Sequence, residues 1–167
     1  MWQRIQSVFL GIAILSLIFG LIYPVWSGSK KGIDVVSLDK NVEYKLYPIY
    51  FLSKEPGPNG RVMTSTYFPY SITAILIVAA ATIAIMEFRR FDNRMLQVKL
   101  GTLNSLVLAG VMICDILFSN QMSKAYPVPW KYELSLYLTF VAIVCNWLAI
   151  RFIRRDEKMV RDSDRIR

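Results

Sequence analysis

Asp115 is the side chain in this sequence that most directly suggests chemistry. It is the only formally charged residue of the apolar stretch 100–118. A carboxyl group at membrane depth is costly and commonly serves proton or ion coupling. A structural role is the alternative, because Asp115 is expected about one turn from the outer end of its segment, within reach of interfacial water or Lys124.

Two polar pairs accompany Asp115. Asn104 and Asn146 also lie in apolar stretches, where they are predicted to hydrogen-bond between helices rather than to bind a substrate. Glu87 and Arg151 fall at the same end of their segments. Because opposite charges at one membrane depth attract, they are predicted to pair and to fix the second helix against the fourth.

The composition excludes several kinds of active site. The chain has no histidine, which removes the commonest general base and a frequent metal ligand. Cys114 and Cys145 lie in apolar stretches without a CxxC pattern, so they are expected to be buried packing residues. No phosphate-binding glycine loop or hydrolase motif occurs. The sequence therefore predicts a protein that is not an enzyme and has no catalytic residue, cofactor or metal site.

Four long apolar segments must position these side chains. The 167-residue chain is 54% hydrophobic and 13% aromatic, and each segment is long enough to cross a bilayer. A secretory signal is the alternative for the first segment, but its apolar run is longer than a signal core. The predicted fold is an all-α integral membrane protein, a single four-transmembrane-helix bundle. Its predicted spans are 5–26, 68–86, 100–118 and 134–153.

The predicted outer loop 27–67 is the largest extramembrane feature. Apolar residues on either side of Asp39, Lys40 and Asn41 suggest a short β-hairpin. The turn-forming residues of 55–60 predict a bend before the chain re-enters the membrane. The many aromatic side chains of the loop would lie at headgroup level or contact a partner.

Basic residues predict the orientation. Lys and Arg are densest in the N-terminus, in the loop after the second span and in the tail, which favours cytoplasmic termini. The net charge of +8 is then explained by orientation and by an anionic inner leaflet, without nucleic acid.

The cytoplasmic tail 154–167 is predicted to continue the fourth helix, with a narrow apolar stripe among charged residues. It would be solvated, dock on anionic lipid or pack on a cytoplasmic or membrane partner. The residues predicted to make such contacts are Phe152, Arg154, Arg155, Met159, Val160, Arg161, Arg165 and Ile166.

The two ends of the chain also resemble a known family. The opening MWQRIQSVFL and the closing FIRRDEKMVRDSDRIR are similar to those of a small Bacteroidota membrane-protein family, domain of unknown function 4293. The tail resembles its pattern I-R-x-D-E-x-x-V-R-x-x-D-R-x-R. The resemblance implies four spans, a multi-pass inner-membrane location and periplasmic outer loops, and it supplies no catalytic residues.

Three functions are compatible with the sequence. The favoured one is a non-enzymatic subunit or scaffold of a membrane complex whose tail contacts a partner or anionic lipid. The second is a small transporter or channel subunit that uses Asp115, where a homo-oligomer would supply the space that four helices lack. The third, a quinone or disulfide oxidoreductase, is disfavoured because Cys114 and Cys145 are expected at different depths.

Overall fold

Four long helices dominate the computed structural model, which describes residues 2–30, 42–56, 62–68, 70–89 and 94–164. Each is long and apolar enough to cross a membrane, as the hydrophobic pattern predicts. A spanning segment must satisfy its backbone polar groups internally, and a continuous helix does this. The helices are α1 (Trp2–Ile22), α2 (Ile72–Arg89), α3 (Arg94–Ala125) and α4 (Leu134–Asp164).

The helices pack through small and branched apolar side chains. α1 lies against α2 and α4, and α3 contacts the same two helices. Ala13, Ala80 and Ala142 are at most 1% exposed, and such small side chains let neighbouring helices approach closely. The core also contains Leu17, Ile77, Leu108, Val111 and Cys145.

The expectation of an all-α fold is wrong, because the outer segments form a five-stranded sheet with the order β4-β3-β2-β1-β5. All four pairings are antiparallel. A short strand acquires its hydrogen-bond partners only when distant segments meet, so local patterns under-predict such sheets. The strands are β1 (Trp26–Lys30), β2 (Val42–Leu46), β3 (Phe51–Pro56), β4 (Val62–Tyr67) and β5 (Trp130–Tyr132).

The second strand of the predicted hairpin is present as β2, but the predicted pairing is wrong. β2 lies between β1 and β3, with Leu46 opposite Trp26 on one side and Phe51 on the other. The predicted first strand, 35–38, and the turn at Asp39, Lys40 and Asn41 lie outside the described residues. The predicted bend at 55–60 falls mostly on 57–60, which lie outside the described residues; β3 ends at Pro56, and β4, antiparallel to it, begins at Val62.

An aromatic cluster joins the sheet to the end of α3. Trp26 is 0% and Phe51 2% exposed, and they pack with Met122 of α3. Tyr44 lies 4.3 Å from Tyr126, centroid to centroid. Several aromatic side chains that were expected at headgroup level therefore form a core of their own. The start of α1 and the end of α4 lie at the opposite end of the helices, because β1 follows α1 and β5 precedes α4.

Candidate functional site: carboxyl groups buried among the helices

Asp115 lies on the buried face of α3. It is 1% exposed, and neither carboxyl oxygen has a hydrogen-bond partner within the described part of the chain. Thr139 of α4 is the neighbouring hydroxyl, but it donates to the carbonyl of Ser135 at 3.1 Å. Ser119, one turn further along α3, is also buried with an unpartnered oxygen.

The surroundings of Asp115 differ from the expectation. α3 continues to Ala125, ten residues beyond Asp115, so the carboxyl group is well inside the helix. It is almost completely buried and forms no ion pair with Lys124 within the described residues. The helix extends past the predicted end of the span through Ser119 and Met122, both buried, and Met122 packs with the sheet.

Glu87 occupies a corresponding position near the opposite end of the helices. It is 0% exposed, and neither carboxyl oxygen has a partner among the residues described. Gly101 of α3 makes room for it, because a Cβ at Gly101 would lie 2.8 Å from Glu87 Oε1 and 2.7 Å from Ile150 Cγ1. Gln97 Nε2 donates to the backbone carbonyl of Glu87 at 3.2 Å.

The ion pair predicted between Glu87 and Arg151 does not form. Arg151 is exposed, and its guanidinium carbon lies 5.4 Å from the centroid of the Trp147 ring. The two residues share a depth, as expected, but they point in different directions. Helix rotation decides which residues face each other, and the charge pattern carries no information about that rotation.

Asn104 and Asn146 connect α3 to α4, as the sequence predicts. Asn104 Nδ2 donates to Asn146 Oδ1 at 3.2 Å. Asn146 Nδ2 donates to the carbonyl of Gly101 at 3.0 Å and to Ser105 Oγ at 2.8 Å. Both asparagines are 0% exposed, so their amides bind the two helices together in the buried interior.

An apolar layer separates the two carboxyl groups. Helical rise puts Asp115 about 21 Å along α3 from Gly101, where Glu87 packs. Leu108 and Val111 lie between them on the same buried face and are 0% exposed. The interior therefore has one polar zone near each end, with a hydrophobic block in the middle.

The predicted tail contacts are distributed along α4. Phe152 stacks on Phe9 of α1 with centroids 5.6 Å apart, so it serves internal packing. Arg154 and Arg155 are exposed, as are Met159 and Val160. Arg161 lies within α4, but its side chain is outside the described set, as are Arg165 and Ile166.

An ion pair missed by the sequence analysis anchors the extension of α4. Arg94 Nη1 lies 3.1 Å from Asp156 Oδ2, which ties the start of α3 to α4. Trp147 was missed as well, although its spacing of four residues from Arg151 places both on one helix face. The same spacing rule could have found Ser119 beside Asp115.

The described residues offer no site for metal or thiol chemistry. They contain no group of three or more His, Cys, Asp or Glu side chains that could hold an ion. Cys114 and Cys145 are free thiols. Glu87 and Asp115 are buried carboxyl groups of the described interior.

The carboxyl groups of the sheet have a different environment. Glu133 Oε1 accepts from Ser27 Oγ at 2.6 Å and lies 3.1 Å from Lys131 Nζ. The hydrogen bond from Ser27 is the largest cause that lowers the pKa of Glu133, and the contact with Lys131 lowers it further. Tyr44 donates to Glu55 at 3.0 Å; burial, reinforced by this carboxyl group, raises the pKa of Tyr44 to about 12.

Four candidate membrane-spanning helices with buried carboxyl groups, capped at one end by an antiparallel sheet, define the class of this protein. Within that class, the chain belongs to the family described as domain of unknown function (DUF4293), whose model matches residues 2–166. The family resemblance read from the two ends of the chain is thereby confirmed. A comparison with curated proteins gives no match.

Proposed function

We propose that this chain is a multi-pass protein of the inner membrane of a Bacteroidota bacterium, with both termini in the cytoplasm. The density of Lys and Arg at the end of the helices that carries the termini supports this orientation. The five-stranded sheet would then lie in the periplasm and cover the outer end of the helices.

We further propose that the buried carboxyl groups bind and release protons, as in a small proton-coupled transporter or channel subunit. The supporting observation is that Glu87 and Asp115 are 0% and 1% exposed with unpartnered oxygens in the described structure. An ionised carboxylate without a partner is very costly in an apolar interior, whereas the neutral acid is tolerated. A group in this setting changes charge only when its surroundings open.

The positions of the two carboxyl groups fit proton exchange from the two sides of the membrane. Asp115 lies in the half nearer the sheet and Glu87 in the half nearer the chain ends. Leu108 and Val111 block the path between them in the arrangement described. Transfer would therefore need a movement of α3 that admits water to one carboxyl group at a time. A homo-oligomer could supply the lateral space that four tightly packed helices do not.

Proton flux into proteoliposomes tests this proposal. Vesicles with an internal pH dye and a potassium diffusion potential would contain wild-type protein, Asp115→Asn or Glu87→Gln. Glu43→Gln is the matched control, since Glu43 is an exposed acid of β2 that pairs with Lys45. We expect flux in wild type and in Glu43→Gln, and its loss in the two interior variants.

Infrared spectroscopy supplies an independent readout. The C=O stretch of a protonated carboxylic acid should be present in wild-type protein at neutral pH and weaken in Asp115→Asn and in Glu87→Gln. Absence of flux in wild type, or flux that persists in both interior variants, would remove the case for proton coupling. A retained infrared band without flux would leave the carboxyl groups with a structural role.

A second candidate function is that of a non-enzymatic assembly subunit. Met159 and Val160 are 43% and 46% exposed on the part of α4 beyond the Arg94–Asp156 pair, where a cytoplasmic partner could pack. Crosslinking pull-down from native membranes should then recover a defined partner with wild type and lose it with Met159→Asp plus Val160→Asp. Lys158→Asp, which alters charge beside the same patch, is the control.

A further inference from the structure

A groove on the outside of α3 and α4 combines basic, aromatic and hydroxyl side chains. Its volume is about 440 Å³. It opens toward the surroundings of the helices, near the end that carries the chain termini. Its lining residues are Thr102, Ser105, Trp147, Ile150, Arg151 and Arg154.

The charge of this groove is not balanced locally. Arg151 and Arg154 are both exposed, and no carboxylate is among the lining residues. Neither guanidinium belongs to an ion pair formed within the described residues. Since the two residues are three apart on α4, both guanidinium groups lie on one helix face. Two such groups match the oxygens of a phosphate ester.

Trp147 and the hydroxyl side chains complete the polar part of the groove. The Trp147 ring is 53% exposed and carries Arg151 over its face, which orients the guanidinium. Tryptophan is favoured at headgroup level. Ser105 is held by the Asn146 amide at 2.8 Å, so the floor of the groove is fixed by the buried asparagine pair.

The surface next to the groove is apolar. Leu106 lies one turn from Thr102 and is 72% exposed, and Val144 lies one turn from Trp147 and is 38% exposed. Both follow in the direction of the membrane centre, because α3 and α4 are antiparallel. A ligand with a phosphate at the arginines and hydrocarbon chains along these residues would match both surfaces.

We propose that this groove binds the headgroup of an anionic phospholipid of the inner leaflet, with the phosphate between Arg151 and Arg154 and the acyl chains over Leu106 and Val144. The site is independent of proton coupling and rests on the proposed orientation only for the choice of leaflet. Basic pockets between membrane helices on the cytoplasmic side are known to suit such lipids.

Native mass spectrometry of the full chain tests the proposal. Protein in micelles would receive equal amounts of phosphatidylglycerol or phosphatidylcholine. We expect selective phosphatidylglycerol adducts on wild type, reduced roughly 10- to 30-fold in Arg151→Gln plus Arg154→Gln. Arg89→Gln removes a charge at the same end of the helices but outside the groove, and it should retain the adduct.

The proposal would be overturned by equal adducts with both lipids, by adducts lost equally in Arg89→Gln, or by a dimer of the chain that dissociates in the double variant. Adducts with inorganic phosphate but not with phosphatidylglycerol would also contradict it, because the acyl chains are part of the site.

Tryptophan quenching in wild-type protein does not depend on the folding of the double variant. The emission of Trp147, obtained as the difference between wild type and Trp147→Phe, would be recorded in vesicles with brominated phosphatidylglycerol or brominated phosphatidylcholine. Stronger quenching by the anionic lipid at equal bromine content supports the proposal. Equal quenching refutes lipid selectivity at this groove.

Discussion

The carboxyl groups of the sheet and those among the helices have opposite hydrogen-bonding environments. At the sheet, Glu133 lies against Ser27 and Lys131, and Glu55 accepts from Tyr44 and Ser53 at 3.0 and 3.2 Å. Among the helices, the oxygens of Glu87 and Asp115 have no donor in the described structure. The difference follows from the supply of donors around each group.

Helices are poor sources of donors. The N–H groups of a helix interior are already bonded to carbonyls four residues earlier, so a carboxyl group between helices must rely on side chains. Beside Asp115, the Thr139 hydroxyl is already engaged with the Ser135 carbonyl, and the Ser119 hydroxyl one turn away makes no hydrogen bond within the described residues. Strands and turns of the sheet place hydroxyl and ammonium groups beside acids instead. The comparison identifies the helical interior as the region where the described structure leaves carboxyl groups without hydrogen-bond partners.

Loss of Trp26 should have the largest effect, and it tests whether the sheet is a stable unit. Trp26→Ala removes a 0% exposed side chain and should cost about 3–5 kcal/mol. Trp130→Ala, at a 42% exposed position, should cost far less. Hydrogen exchange of β1 and β2, with thermal unfolding in detergent, would measure both; equal losses would show that the aromatic cluster does not stabilise the sheet.

Gly101→Ala is the next strongest test and addresses the packing of Glu87. The new methyl group would meet Glu87 Oε1 and Ile150 Cγ1 at under 3.0 Å, and overpacking of this kind costs about 1–3 kcal/mol. Gly110→Ala is the control, because a Cβ there meets nothing within 4 Å. Adding Glu87→Ala should recover part of the loss; additive losses would contradict the contact.

A double-mutant cycle on Asn104 and Asn146 measures how firmly α3 and α4 are joined. Each single change to Leu should destabilise the protein, and the coupling should be about 0.6 kcal/mol and at most about 1.7 kcal/mol. Steric trapping in bicelles gives the unfolding free energies. A coupling near zero would mean that the 3.2 Å contact adds little beyond packing.

Ser27→Ala should have the smallest effect, and it tests the environment of a carboxyl group in the sheet. Because the Ser27 hydroxyl is the main cause of the lowered pKa of Glu133, its loss should move that pKa back toward the ordinary value of 4.5. The stabilisation from Glu133 is present above about pH 4.5 and disappears as the pH falls through its folded pKa.

The expected loss for Ser27→Ala at neutral pH is below about 1 kcal/mol. Hydrogen exchange of β1 and β5, recorded between about pH 3 and about pH 7, measures this loss. Wild type should weaken on acidification more than the variant does. An identical pH dependence in both proteins would show that the Ser27 contact does not set the charge of Glu133.

Predictability from sequence differs between the same two regions. The four helices and the described part of the tail as a continuation of α4 were predictable, because a hydrophobic period or an uninterrupted apolar run carries the information locally. Hydrogen bonding between helices was predictable for Asn104 and Asn146 from their polar type within apolar segments, but their contact with each other was not. The sheet was largely missed, because β5 is three residues long and pairs with β1 more than a hundred residues earlier.

The residues of the candidate site were predictable, but their contacts were not. The sequence identified Asp115 and Glu87 as unusual because a charged type within or beside an apolar run is visible directly. It predicted an ion pair with Arg151 for Glu87 and a contact with Lys124 or interfacial water for Asp115, whereas the described residues give neither carboxyl group a hydrogen-bond partner. Whether Glu87 meets Arg151 or Gly101 depends on the rotation of α2 and α4 about their axes, which composition does not encode.

The sequence alone determined that the chain has four segments fit for a membrane, which family it resembles, and where its unusual polar residues lie, since hydrophobicity and residue type are local properties. The tertiary structure alone decided that two carboxyl groups are buried without a hydrogen-bond donor among the described residues, that Arg151, Arg154 and Trp147 share a groove, and that five strands form one sheet. These features arise from contacts between segments far apart in the chain, and such contacts exist only after the helices have packed.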